Sequence, residues 1–147
     1  MKKLCQLSFI PCSAGFALLV LRLWIGLSLF FNHGLPKIMN YSQYSTHFMD
    51  PLHIGVKASL ILSIFAEAVC SALIVLGIAT RLAALIVVIN LGVAFIFIHH
   101  HAMSGPGSGE LAYAYLGGFI TLMLAGGGCW QVCKITNAPP APASTAP

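Results

Sequence analysis

Charge is what this chain has least of. Of 147 residues, seven are Lys or Arg and three are Asp or Glu, seven per cent together, against roughly a quarter in ordinary soluble domains. That scarcity excludes a normal water-facing globular surface. The basic residues are scattered, so the net charge of +4 marks no nucleic-acid-binding face. Several signatures of chemistry are also missing. No HxxxH or HExxH spacing occurs, and Cys129 and Cys133 stand at C-x3-C, not at the C-x2-C of redox and zinc motifs. The glycine-rich stretch 105–109 lacks the Lys-Ser/Thr ending and the preceding strand of a phosphate loop. No flavin, nicotinamide, iron–sulfur or c-type haem motif is present, so no intrinsic cofactor is expected and electrons would need a carrier from elsewhere. Without an internal repeat, a monomeric transporter is disfavoured as well.

What is abundant is apolar: 59% of residues are hydrophobic and mean hydropathy is +0.92. Four apolar segments, residues 14–32, 58–77, 82–99 and 111–128, approach or reach the ~17–25 residues a helix needs to cross the hydrocarbon core. The expected fold is therefore all-α, an integral membrane four-helix bundle in a single domain over 14–136. Met1-Lys2-Lys3 before the first run imitates a secretory signal. The run continues to Phe31 with Arg22 inside it and no small-x-small cleavage site, which predicts an uncleaved span. Gly34 and Pro36 are expected to open a long connection over 33–57 carrying a short interfacial helix near 44–49. Residues 77–81 form a tight turn, 100–110 a breaker-rich loop, and 137–147 a disordered Pro/Ala-rich tail.

Lys2, Lys3, Arg81 and Lys134 fall on one side of four crossings, and Lys37 and Lys57 on the other. The excess places residues 1–13 and the C-terminus in the cytoplasm. His33, His47, His53, His99, His100 and His101 then lie at the outer surface, and Cys5, Cys12, Cys129 and Cys133 at the inner one. A reducing cytoplasm disfavours disulfides there; those cysteines are incidental, acylated or, less simply, a thiolate metal set.

Three spans carry a polar residue near their centres: Arg22, Glu67 and Asn90. A charge at that depth costs at least ~2.5 kcal/mol on insertion scales and needs a partner. An Arg22–Glu67 ion pair is the expected answer, with Asn90 hydrogen-bonding either. The pair either fixes helix register or forms a ligand-orienting site, and a salt-bridged Glu67 would favour structure or anion recognition over proton relay. Six histidines with Met49 and Met103 suit copper or zinc in principle. Three consecutive residues, His99 to His101, point about 100° apart on a helix and cannot converge. No metal is therefore expected, and the His face reads as an interface lining that meets lipid headgroups or a quinone-like ligand. Glu110 opens the fourth span, where the helix dipole favours a carboxylate. Tyr113 and Tyr115 fit an interfacial aromatic belt or hold a carbonyl.

The order of local motifs is itself informative. Leu21-Arg22-Leu23 followed by Phe31-Asn32-His33-Gly34-Leu35-Pro36-Lys37, then Phe65-Ala66-Glu67 leading to Leu76-Gly77-Ile78-Ala79-Thr80-Arg81, then Gly109-Glu110-Leu111-Ala112-Tyr113 and Gly126-Gly127-Gly128-Cys129-Trp130, resembles the DoxX family of small four-helix membrane proteins. The likeness spans roughly residues 14–130 and departs at its end, where Gln131 follows Trp130 in place of a serine and an acidic residue. The resemblance implies a multi-pass protein of the bacterial inner membrane, linked in some members to quinone-coupled oxidation of sulfur compounds or to membrane redox complexes. Expected partners are lipid and either other membrane-complex subunits or further copies of the chain; nucleic acid is not one. The expected function is a quinone-binding or quinone-bordering subunit, with Arg22, Glu67, Asn90, His33, Lys37, Glu110 and Tyr113 as ligand-binding candidates. The competing expectation is a non-catalytic anchor or assembly subunit.

Overall fold

A computed structural model of the chain describes residues 14–128 and residue 130. The expectations for Cys5, Cys12, Cys129, Cys133, Lys2, Lys3, Lys134, the N-terminal stretch and the tail fall outside those residues. Among the described residues every regular element is helical. We label them α1 (Ala14–Met39), α2 (Tyr41–His47), α3 (Val56–Leu76), α4 (Thr80–Ile98) and α5 (Glu110–Ala125). The first, third and fourth are long and apolar enough to cross a bilayer, and α5 is a shorter apolar helix.

Contacts run α1 to α3, α3 to α4, α4 to α5 and α5 back to α1, closing a four-helix ring. Its core joins Ile25 and Leu29 of α1 to Ile74, Val87, Phe119 and Leu122 from the other three. The opposite sides of the helices stay exposed and apolar: Trp24 is 78% exposed, Leu82 61% and Leu124 69%. In a water-soluble bundle such surfaces would be polar; in a bilayer they meet acyl chains. A Cβ on Gly128 would lie 2.8 Å from the Gly15 carbonyl oxygen, so the start of α1 and the segment after α5 share one end of the bundle.

The first span departs from expectation. Gly34 and Pro36 do not end it; α1 runs on to Met39, 26 residues in all. Phe30–Gly34 is wound as a π-helix, with the Leu35 N–H bonded back to the Phe30 carbonyl. A proline ring clashes with the i−4 carbonyl of a regular α-helix, and the wider π turn just before Pro36 absorbs it. Two further π segments are Phe65–Cys70 in α3, which packs on Phe30–Gly34, and Ala94–Ile98 in α4. Gly34 is pressed against α3: a Cβ there would sit 2.6 Å from the Glu67 carbonyl oxygen and 2.8 Å from the Ala68 Cα. Backbone cannot give way as a side chain can, so this contact requires glycine.

Candidate functional site

The extra length of α1 decides which charges meet. Gly34 touches α3 at Glu67, twelve residues beyond Arg22, about 18 Å along the axis at 1.5 Å per residue. The expected Arg22–Glu67 ion pair is therefore not made. Arg22, only 3% exposed, turns to the far end of α5 and donates Nη1 to the Gly127 carbonyl at 2.7 Å and Nη2 to the Trp130 carbonyl. Both carbonyls belong to the non-helical segment after α5, so neither is taken up by a helical ladder and each can accept from the guanidinium.

Glu67 is answered by Lys37. The Lys37 ammonium lies 2.5 Å from Glu67 Oε2 and also donates to Ser63 Oγ at 2.7 Å. Glu67 Oε1 accepts from Ser63 Oγ and from Asn90 Nδ2, each at 3.1 Å. Ser63 and Glu67 are one turn apart on α3 and share a face. The cluster ties α1, α3 and α4 together, and each member satisfies part of another's demand, as a buried charged group requires. Phe48, just after α2, stands over the ammonium with its ring centre 5.3 Å from Nζ, a cation–π distance.

Above this polar floor is a cavity of about 590 Å³, within the range of small-molecule sites. His33, Lys37, Ser63, Glu67 and Asn90 line it, with Tyr115 and Leu29 from the core side. The walls are otherwise mainly apolar, so a few converging polar groups sit in a greasy pocket. The His33 ring meets Tyr115 edge-on, centroids 6.0 Å apart, and the Tyr115 hydroxyl is 2.6 Å from Ser28 Oγ. His33 and Lys37 are also one turn apart, which puts both on the cavity side of α1.

Four of the seven candidates, His33, Lys37, Glu67 and Asn90, thus gather at one cavity. The other three do not line it. Arg22 is at the opposite end, Glu110 is exposed at the first residue of α5, and Tyr113, 56% exposed, packs on Phe95 with ring centres 5.6 Å apart. Ser63 and Phe48 were not among the candidates; Tyr115, read with Tyr113 as an interfacial or carbonyl-holding residue, is buried and lines the cavity. Ser63 had a signal: it precedes Glu67 by one turn on the same apolar helix. His47 and His99 also line the cavity, but His99 Nδ1 donates to the Gly107 carbonyl at 2.7 Å and His101 packs on Phe95. Among the described residues no three His, Cys, Asp or Glu side chains converge on a point that could hold a metal ion.

The family model of DoxX matches residues 17–100, more than half the chain. The chain belongs to the DoxX family. No curated protein and no solved structure matches it. This DoxX chain is a multi-pass membrane protein, its membrane-length helices α1, α3 and α4 all within or overlapping the matched stretch. The whole polar floor, from His33 to Asn90, belongs to that stretch, whereas Tyr115 and all of α5 lie beyond it.

Proposed function

We propose that the cavity binds the ring of a lipid-soluble quinone, and that the chain serves as a membrane subunit of a redox complex in the bacterial inner membrane. The observation that carries this reading is the 590 Å³ cavity with Lys37, Glu67 and Asn90 at its floor. A quinone ring has apolar faces and carbonyl oxygens that only accept hydrogen bonds. An ammonium has three donors; Lys37 uses two on Glu67 and Ser63, leaving one for a carbonyl. Asn90 spends one N–H on Glu67, leaving the other to donate and Oδ1 to accept from a reduced, hydroxyl-bearing ring.

The chain carries no electron-carrier motif, so the redox centre would belong to a partner subunit. The basic residues Lys2, Lys3, Arg81 and Lys134 favour placing the end with both termini in the cytoplasm, which opens the cavity toward the outer side.

The test is titration of a decyl-tailed benzoquinone into the purified chain in lipid nanodiscs. Lys37→Met combined with Glu67→Leu should weaken binding by at least about tenfold. Equal affinity in wild type and double variant, or no saturable binding to either, would leave the anchor reading in its place.

A further inference from the structure

Two parts of the cavity lining differ in chemistry. Toward the end of the bundle it includes Tyr44, His47, Met49 and Leu52, which mix polar and apolar groups near the expected water boundary. On the flank its lining includes Leu62 and Phe65 of α3 and Ile86, Ile89 and Val93 of α4, all apolar. Leu62 is 54% exposed, Phe65 44% and Ile89 58%. These side chains border the cavity where α3 faces α4, and they are open to their surroundings. Phe65 is the tenth of 21 residues in α3 and Ile89 the tenth of 19 in α4, so this flank lies at hydrocarbon depth in a bilayer.

Helix packing points to the same flank. The second part of α3, Phe65–Leu76, packs along Thr80–Val93 of α4. Among the described residues the first part, Val56–Ile64, makes no comparable contact with α4; it packs instead on α2 and on Leu35–Met39. The two helices thus part company from Phe65 outward, while α4 and α5 stay together along Ala94–Ile98. Helical periodicity puts the gap beside the polar floor. Ser63 and Glu67 form one stripe on α3, and Leu62 and Ala66 the adjacent one; on α4, Asn90 is flanked by Ile86, Ile89 and Val93.

We infer that the separation of α3 and α4 is a lateral portal. Resting on the quinone reading above, the inference adds that the ligand's apolar tail leaves the cavity sideways between Leu62, Phe65 and Ile89, and that the ligand is taken from the bilayer instead of from water. A head held at Lys37 and Asn90 then keeps its tail in hydrocarbon throughout, so no acyl or prenyl surface has to cross water on entry.

A decyl-tailed benzoquinone carrying a diazirine within its tail, photolysed on the full chain in nanodiscs, reads the path directly. Labelling that excess unlabelled decylbenzoquinone removes should map to residues 62–66 and 86–93. Introducing Leu62→Trp with Ile89→Trp should reduce that competed labelling at least about tenfold, and a tailless dimethoxybenzoquinone should bind the unaltered chain saturably. Competed labelling confined to residues 44–54, or unaltered by the tryptophans, overturns the portal and leaves quinone binding standing. Labelling that no competitor removes, together with no binding of the tailless ring, overturns both.

Discussion

Arg22 and Lys37 stand on the same helix, about 22 Å apart along its axis, and their surroundings could hardly differ more. Around Arg22 the helices are regular α and close-packed, with Ile25, Ile74 and Leu122 in the nearby core. Its charge is answered by carbonyls of the segment after α5, groups fixed by the backbone. Around Lys37 three spans carry π turns and the interior is hollow. Its charge is answered by a carboxylate and a hydroxyl that border empty space. A buried cation walled in by packed apolar neighbours leaves a ligand no room, even though the Arg22 Nε–H has no hydrogen-bond partner among the described residues. A cation matched by a side chain beside a cavity keeps a donor free. The comparison therefore assigns architecture to one end of the bundle and chemistry to the other.

The largest effect that would break this assignment is at Glu67. Glu67→Leu alone leaves the Lys37 ammonium unpaired at a site where its side chain is 15% exposed. Removal of one partner from such a pair costs about 3–5 kcal/mol, which should appear as a large drop in the thermal unfolding midpoint in detergent. Adding Lys37→Met should recover most of that loss, because apolar replacement of both partners is often neutral. The recovered protein should still fail to bind the benzoquinone. Recovery of stability with full binding would make this pair as purely structural as Arg22.

Comparable in size is Arg22→Met. It removes two charge-assisted hydrogen bonds to carbonyls, each of the class worth about 1.5–3 kcal/mol, so the unfolding midpoint should fall. Benzoquinone affinity should stay within about twofold, because Lys37 on the polar floor is roughly four turns of helix away. A parallel fall in affinity would show the two ends to be coupled.

Much of this contrast was legible in the sequence, but its pairing was not. Four apolar runs and the scarcity of charge were enough for a four-helix membrane bundle, since hydrocarbon thickness sets span length. Polar residues inside those runs marked Arg22, Glu67 and Asn90 as needing partners. The partners depended on helix phase and depth. Taking Gly34-Leu35-Pro36 as a break centred the first span too near its start and brought Arg22 level with Glu67. The π turn at Phe30–Gly34 reverses that by carrying α1 through Pro36 and adding a turn bearing Lys37. A π segment has no composition of its own to read, being a response to packing and to the proline after it. The cavity was equally hidden, because a void is a property of how α3 and α4 diverge, not of any one run of residues. His33 and Lys37, four apart, were the one local hint that the helix goes on and turns a polar face inward.

The smallest expected effect lies at the rim of the hollow end. Asp50 Oδ1 accepts from Ser59 Oγ at 2.7 Å and from the Ile54 N–H at 3.1 Å, and Oδ2 accepts from the Gly55 N–H at 2.7 Å. Together they pin the connection before α3, where Pro51, Leu52 and Ile54 line the cavity. The Ser59 hydroxyl first, then the two backbone amides, hold the Asp50 carboxyl below its ordinary value of 3.8. A carboxyl whose folded value is lowered adds stability above its unfolded value and loses it as pH falls through the folded one. Acidification to below that point should therefore loosen the rim, and only the rim, since Asp50 is far from the packed core. The amide resonances of Ile54 and Gly55 should titrate with a midpoint below 3.8, while those of Ile74 and Phe119 stay fixed. A midpoint at or above the ordinary aspartate value would mean that the carboxylate does not organise this edge. Asp50→Asn should reproduce the acid-induced shift at neutral pH, because a carboxamide has one oxygen where three donors now converge on two.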